Sequence, residues 1–382
     1  MLKITITTPV YPYPKRGVYT GIERHIENIS KYLALNNCKV RVVTTFWNGG
    51  NSYDIKDGVE IFRVKDATLY LGKIASIAEL NYLSFSLSSM LKTLELDSDV
   101  LLLNNQSPFS FLSNAKLKVG LAHHVDYIKS IKDLFVIPFA NLYSKMTQLD
   151  YIIAPSHFTK KQIIETFKIP SEKIEVIHEG VDTSKFNPNN KPIFREKFKS
   201  QYVILFVGAL GKTKNVDKLI RVFNYVQKRI DASLVIVGEG PEKNNLMELA
   251  KEMNLANKVF FEGFVKDEDL PYYYSSCDVF ASCSIIEGFG LIFLEAMASG
   301  KPVVAFNIAS IPEVVRDGGI IIKNFDLIEM AEKIVELLTR KEVYEEYSKK
   351  AIEIAMKHDW NNVARKYLIF FENSLKIMQK SS

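Results

Sequence analysis

The chain has 382 residues, 47% of them apolar and 24% charged, with a formal net charge of +5. That length suits two domains of ordinary size, and the balance excludes a disordered or fibrous chain. Apolar runs stay well short of the roughly 18 residues that cross a bilayer. No basic tract interleaved with aromatics marks a nucleic-acid binder, so no nucleic-acid partner is expected.

The chain opens on "MLKITITTPV", an alternating strand with no basic-then-apolar leader pattern. A helix is predicted over 21–35, where Ile22, Ile26, Ile29 and Leu33 recur at 3- or 4-residue spacing. Further strands are predicted at "KVRVVTT", "VEIFRV", "SDVLLL", "LKVGLA", "DYIIAP" and "KIEVIH". Residues 44–51 and 65–75 lack periodicity and read as loops. "DTSKFNPNNKPIFREKFKSQ" then has the Pro, Asn and Lys content of a linker.

The second half repeats the theme with "YVILFVG", "ASLVIVG", "KVFFEG", "DVFASC", "KPVVAF" and "GIIIK", again with helices between. After residue 324 the chain turns helical. A last amphipathic helix is predicted over 359–379 with Asp359 as its N-cap. Short apolar strands joined through helices mean parallel sheets covered on both faces. The expected fold is therefore α/β, with two doubly wound, Rossmann-like domains at 1–188 and 198–357 facing across a cleft. The terminal helix, 359–382, is expected to pack back on the N-terminal domain.

Residues 1–190 carry 22 Lys/Arg against 18 Asp/Glu, so most of the basic excess lies in this half. Scattered solvated lysines explain it; so does a basic face meeting an anionic membrane surface or a phosphate-bearing acceptor. Cys38, Cys277 and Cys283 are odd in number and awkwardly spaced. They read as core thiols in a reducing cytoplasm, not as a disulfide frame or metal site.

In doubly wound sheets ligands sit beyond the carboxyl ends of the strands. "LFVGALGKTKNVDKLI" puts Gly211-Lys212-Thr213 there. A Walker A loop needs a glycine five residues before that glycine, and the position is Phe206, so a P-loop is excluded. Lys212 and Lys214 beside a helix start still suit a diphosphate, although a plain surface turn with solvated lysines also fits. "VGEGPEKNNL" holds Gly238 and Gly240 without the third glycine of a dinucleotide fingerprint, which argues against nicotinamide chemistry.

The most informative stretch is "SIIEGFGLIFLEAMASGKPVVAF". Gly288 and Gly290 loosen a turn, a helix follows from about Leu291, and Gly300 ends it. Glu287 precedes that helix and Glu295 lies inside it. Capping explains either glutamate alone. What capping does not explain is two glutamates bracketing a glycine turn: its free N–H groups suit phosphate and sugar oxygens, and a carboxylate accepting two hydrogen bonds suits a vicinal diol.

Glu287 to Glu295 forms an E-x7-E motif in "EGFGLIFLEAMASGKPVV". With "SIPEVVRDGG" downstream and "VIHEGVDTSKFNP" before the linker, the chain closely resembles the GT-B retaining glycosyltransferases of family 4 (GT4), also called group 1. The resemblance runs over nearly the whole chain and is densest from 151 to 322. It implies that a nucleoside diphosphate sugar, such as a UDP-sugar, binds the C-terminal domain as co-substrate, with no cofactor and no metal. Glu287 would hold donor hydroxyls and Glu295 the ribose diol. Backbone around Gly288, Phe289, Gly290 and Leu291 would hold sugar and phosphate. Lys214 falls at the lysine of the phosphate loop that begins at Gly208. The base would lie along Gly263, Phe264 and Val265.

On the acceptor side, Thr20 and Gly21 match the family's glycine pair. "LAHHVDY" resembles its "HGxD" pattern and places His123 in the site, with His124 as the alternative; polar packing at a strand end is the plain reading of the pair. Two departures stand out. Ala209 occupies the position where the family has Arg, a loss Lys212 is expected to offset, and Thr20 replaces a glycine.

The implied activity is retaining transfer of a hexose to a glycan, lipid-linked sugar or polysaccharide precursor. It is expected in the cytoplasm or at the inner membrane surface. The alternatives are a nucleotide-sugar 2-epimerase, which shares the two-domain fold, and a catalytically weak nucleotide-sugar-binding partner, which Ala209 and Thr20 would suit. Segments 44–90 and 126–148 are expected to form much of the acceptor side. Lys129, Lys132 and Lys145 would face a membrane if their helix does not face the core.

Overall fold

The computed structural model describes residues 1–11, 21–46, 50–65, 78–104, 107, 109–123 and 149–381, without the side chains of 78–82 and 381. The chain divides into two compact units, Met1–Glu179 with Trp360–Ser382, and Gly180–Asp359.

The first unit holds β1 (Lys3–Thr7), β2 (Lys39–Thr45), β3 (Tyr53–Lys56), β4 (Val59–Val64), β5 (Val100–Leu103), β6 (Leu117–Leu121), β7 (Tyr151–Ala154) and β8 (Ile174–Val176). They form one sheet in the order β3-β4-β2-β1-β5-β6-β7-β8. Every pairing is parallel except β3 with β4. β5 (VLLL) reads as a continuous apolar run because both faces are covered, whereas β1 (KITIT) alternates isoleucine with threonines that are equally buried.

β3 is the strand that sequence reading missed. All four of its residues are exposed, so it carries no apolar alternation. A two-residue turn makes it: Asp57 and Gly58 both adopt positive φ, 52° and 78°, between Lys56 and Val59. That backbone matches the twist of a tight hairpin.

The helix Gly21–Leu35 buries Ile26, Ile29 and Leu33, with Glu23 and His25 on the same inward face. The terminal helix Trp360–Ser381 packs beside it, burying Trp360, Val363, Ala364, Tyr367 and Phe371 in the cluster that contains Ile4, Ile26 and Val119.

The second unit holds β9 (Tyr202–Val207), β10 (Ala232–Val237), β11 (Val259–Gly263), β12 (Val279–Ser282), β13 (Val303–Phe306) and β14 (Gly319–Ile322). Their order, β11-β10-β9-β12-β13-β14, is the doubly wound arrangement, and every pairing is parallel. Residues 180–188 were expected on the N-terminal side but belong to this unit. Val181 and Phe186 pack with Phe198, Tyr274 and Met297, which draws the linker's first half into the core.

All three cysteines are buried free thiols. Burial pushes Cys38 up to about 11 and Cys277 up to about 12, so neither forms a thiolate readily. No described helix is long and apolar enough to cross a membrane.

Candidate active site

The order of the second sheet reverses between β9 and β12, the place where doubly wound sheets bind ligands. The loops leaving these neighbouring strands carry the two stretches singled out in the sequence. After β9, Gly208 to Gly211 leads into a short 3-10 turn, Lys212–Lys214. After β12, residues 283–290 lead into the helix Leu291–Ala298. A backbone hydrogen bond from Ile285 N to Thr213 O (3.0 Å) fastens one loop to the other.

This fastening brings Lys214 to Glu287. The ammonium donates to Oε1 of Glu287 at 2.6 Å and lies 3.5 Å from the carbonyl of Ile286. Glu287 is buried and Lys214 half-buried, so the pair is largely withdrawn from water. Lys212 and Ala209 are exposed at the rim of the same loop.

Gly290 starts the helix at φ +98°, a conformation that side chains disfavour. A Cβ there would meet the Phe293 ring at 2.6 Å. The turn is held from below by Ser310, whose buried hydroxyl lies 3.0 Å from the carbonyls of both Glu287 and Phe289. The first N–H groups of an α-helix have no intrahelical acceptor, so this terminus can receive an anion.

Glu295 is buried one turn into the helix, and its Oε2 accepts the hydroxyl of Tyr274 at 2.8 Å. Sequence reading missed both Ser310 and Tyr274. Each is an ordinary polar residue far along the chain from its partner, and only the fold joins them. Gly263 ends β11 at φ +72°, with Phe264 exposed and Val265 half-buried beyond it.

Gly238 and Gly240 also gain an explanation. A Cβ on Gly238 would fall 1.9 Å from Gly208 O, and one on Gly240 2.5 Å from Leu210 O. The two glycines let the loop after β10 lie against the loop after β9. Backbone packing thus accounts for the pair without a dinucleotide site.

In the first unit the order reverses between β1 and β5. Asn104, just after β5, donates from Nδ2 to Thr8 Oγ1 at 2.9 Å, and Thr8 donates to Val10 O at 2.7 Å. These two bonds fix the amide, so Asn104 Oδ1 is the atom 2.6 Å from His123 Nε2. His123 Nδ1 in turn lies 3.4 Å from Glu179 Oε1. Both ring nitrogens of His123 therefore face protein groups.

The same carboxylate oxygen lies 3.4 Å from Nδ1 of His25. Burial alone would raise the Glu179 carboxyl, but the two imidazoles override it and hold it down to about 2. Burial pushes His123 below the ordinary histidine range, against the pull of Glu179. Gly21 is exposed at the start of its helix. Thr20, His124, Lys129, Lys132 and Lys145 lie outside the described residues.

Comparison with known proteins covers both units. Residues 19–185 match the profile of Glycosyltransferase Family 4 and residues 189–354 that of Glycosyl transferases group 1. An uncharacterized glycosyltransferase of Methanocaldococcus jannaschii is 27% identical over 99% of this chain and 100% of its own length. The GDP-mannose-dependent alpha-(1-6)-phosphatidylinositol monomannoside mannosyltransferase of Mycolicibacterium smegmatis is 27% identical over 88% of this chain and 89% of its own. The crystal structure of Anabaena HepE in complex with UDP and glucose superposes with a TM-score of 0.76 at 19% identity, covering 98% of this chain and 100% of that one. The adjoining profile matches and the two doubly wound sheets agree: the chain is a glycosyltransferase of family 4 (group 1), with the GT-B fold.

Proposed function

We propose that the enzyme moves a hexose, with retention at the anomeric carbon, from a nucleoside diphosphate sugar to a hydroxyl of a glycan or lipid-linked acceptor. The observation that carries this reading is the Lys214–Glu287 pair at the switch point of the second sheet. A cation, a carboxylate and a helix N-terminus meet there, as diphosphate and sugar hydroxyls require.

The glycosidic C–O bond breaks and its electron pair stays with the diphosphate. Lys214, Lys212 and the helix N-terminus after Gly290 stabilise that charge, so no added metal is needed at this step. The acceptor oxygen attacks from the face the diphosphate leaves, and its proton passes to a departing phosphate oxygen. Glu287 orients donor hydroxyls. Glu295, held by Tyr274, takes the ribose diol, and the base lies along Gly263–Val265.

The printed names of the relatives include both GDP-mannose and UDP, so the donor is tested as a panel. Thermal shift against UDP- and GDP-sugars should give one class that raises Tm. Turnover of that donor should then release free nucleoside diphosphate and an α-linked glycoside from an α-linked donor. An isomerised nucleotide sugar, an inverted product, or activity that requires added Mg²⁺ or Mn²⁺ would each overturn the corresponding part. The exposed Ala209 favours one competing reading, a donor-binding protein with little turnover. Donor-raised Tm without released diphosphate, against every acceptor tried, selects it.

A further inference from the structure

We infer that Glu287, through its pairing with Lys214, makes the site hold the intact sugar donor and reject the nucleoside diphosphate left after transfer. This preference presupposes the transfer reading above and adds a second role for the same carboxylate. The ammonium that would grip a phosphate is already bonded to Glu287 Oε1 at 2.6 Å, and water reaches neither side chain well.

Both backbones are anchored. Lys214 ends a 3-10 turn that Asn215 closes by donating its N–H to Lys212 O at 3.3 Å. Ile285 N is bonded to Thr213 O, and the Ser310 hydroxyl lies 3.0 Å from the carbonyl of Glu287. A phosphate drawn to Lys214 therefore arrives beside the Glu287 carboxylate, whose buried side chain has little water to turn to.

The two nucleotides meet that carboxylate differently. The intact donor presents sugar hydroxyls, which donate to Glu287 and replace what Lys214 gives up to phosphate. Once the sugar has gone, those donors are lost. The departing phosphate passes the acceptor's proton on to water, because a terminal phosphate loses its second proton at about pH 6. At neutral pH the free diphosphate thus carries one negative charge more than the donor. Glu287 then faces a like charge with its acceptor oxygens unsatisfied, and both effects are strong where water is scarce. The group that orients the donor sugar in this way also expels the product, so that donor competes with accumulated diphosphate.

The test measures binding on the full chain without acceptor. Calorimetry at neutral pH compares wild type, Glu287→Gln and Glu287→Asp. The probes are UDP, GDP, and the hexose nucleotide of the same base that gives the largest thermal shift. Urea melts confirm that each variant is folded. Gln keeps the size of the side chain and removes its charge. Glu287→Gln should bind the free diphosphate roughly 10-fold more tightly and the sugar nucleotide more weakly, so that the two affinities move in opposite directions. Glu287→Asp retains the charge and should bind the diphosphate no more tightly than wild type.

A merely structural role would weaken both ligands together in the Gln protein, and that result overturns the proposal. So does a diphosphate affinity that Glu287→Gln leaves unchanged, or one that Glu287→Asp raises as much as Gln does. In each of these cases donor binding by wild type leaves the transfer reading standing. Wild-type protein that binds neither UDP, GDP nor their hexose nucleotides sinks the transfer reading, and this role with it.

Discussion

The Lys214 ammonium meets the Glu287 carboxylate at 2.6 Å across 73 positions of sequence. Their side chains are only 20% and 10% exposed, so each neutralises a charge that water reaches poorly. Removing the lysine alone strands the glutamate. Lys214→Ala should therefore lower stability by about 1–3 kcal/mol, below the roughly 3–5 kcal/mol of breaking a fully buried pair because some solvent remains. Donor turnover should fall at least a hundredfold or so, the scale of losing a transition-state contact. Adding Glu287→Gln to this variant should recover stability in urea melts without recovering turnover. Recovery of both would separate the pair from the chemistry.

Gly290→Ala tests the turn. The substitution forces a side chain to φ +98° and pushes its Cβ to 2.6 Å from the Phe293 ring. Strain of about 1–3 kcal/mol is expected, together with loss of donor-induced Tm increase. Gly211→Ala in the neighbouring loop is the control. It has no heavy atom within 4 Å and an ordinary φ of −112°, so it should shift stability by less than about 0.5 kcal/mol.

Ser310→Ala removes the hydroxyl that holds the carbonyls of Glu287 and Phe289. The two carbonyls share that hydroxyl's single proton, and losing it should cost about 1–3 kcal/mol. The looser turn should raise KM for the donor more than it lowers kcat, because the residue touches the loop and not the sugar. Unchanged KM in a protein of unchanged stability would assign the turn's geometry to Gly290 alone.

Lys212 is exposed, so Lys212→Ala should leave stability within about 0.5 kcal/mol of wild type. Its effect should appear in turnover, and the wild-type advantage should shrink as salt screens the exposed charge. If donor turnover does not change, Lys212 does not offset the missing arginine at Ala209.

The alternation of apolar strands with helical periods made the two doubly wound sheets legible, since burial on both faces writes itself into sequence as Val, Ile and Leu runs. β3 left no such trace because it buries nothing, and its only signal was Asp57-Gly58. In the candidate site, Glu287, Glu295 and Lys214 stood out through spacing within one stretch or resemblance to a family. Their supports did not. Tyr274 and Asn104 act through contacts that chain folding creates, and nothing local distinguishes them from solvated polar residues; Ser310, Thr213 and Glu179 lie in stretches that stood out, but their contacts did not. The dividing line near residue 180 was obscured for a related reason. A Pro- and Asn-rich segment has linker composition, yet Val181 and Phe186 bury their side chains in the second unit.

The terminal helix provides the last test. It follows the second unit in sequence but completes the core of the first, where Phe371 is fully buried and edge-on to Tyr367 at 5.8 Å between ring centroids. Phe371→Ala should cost about 3–5 kcal/mol, the usual loss for emptying a buried phenyl site. That cost should fall on residues 1–179, with hydrogen exchange accelerating in β1, β5 and β6 while β9 and β12 keep their protection. Ile369→Ala, on the same helix but 59% exposed, should leave both regions unchanged. Faster exchange in β9 and β12 alone would place the helix's stabilising contacts in the second unit. An unchanged pattern in the Phe371 variant would mean that the helix adds little to either core.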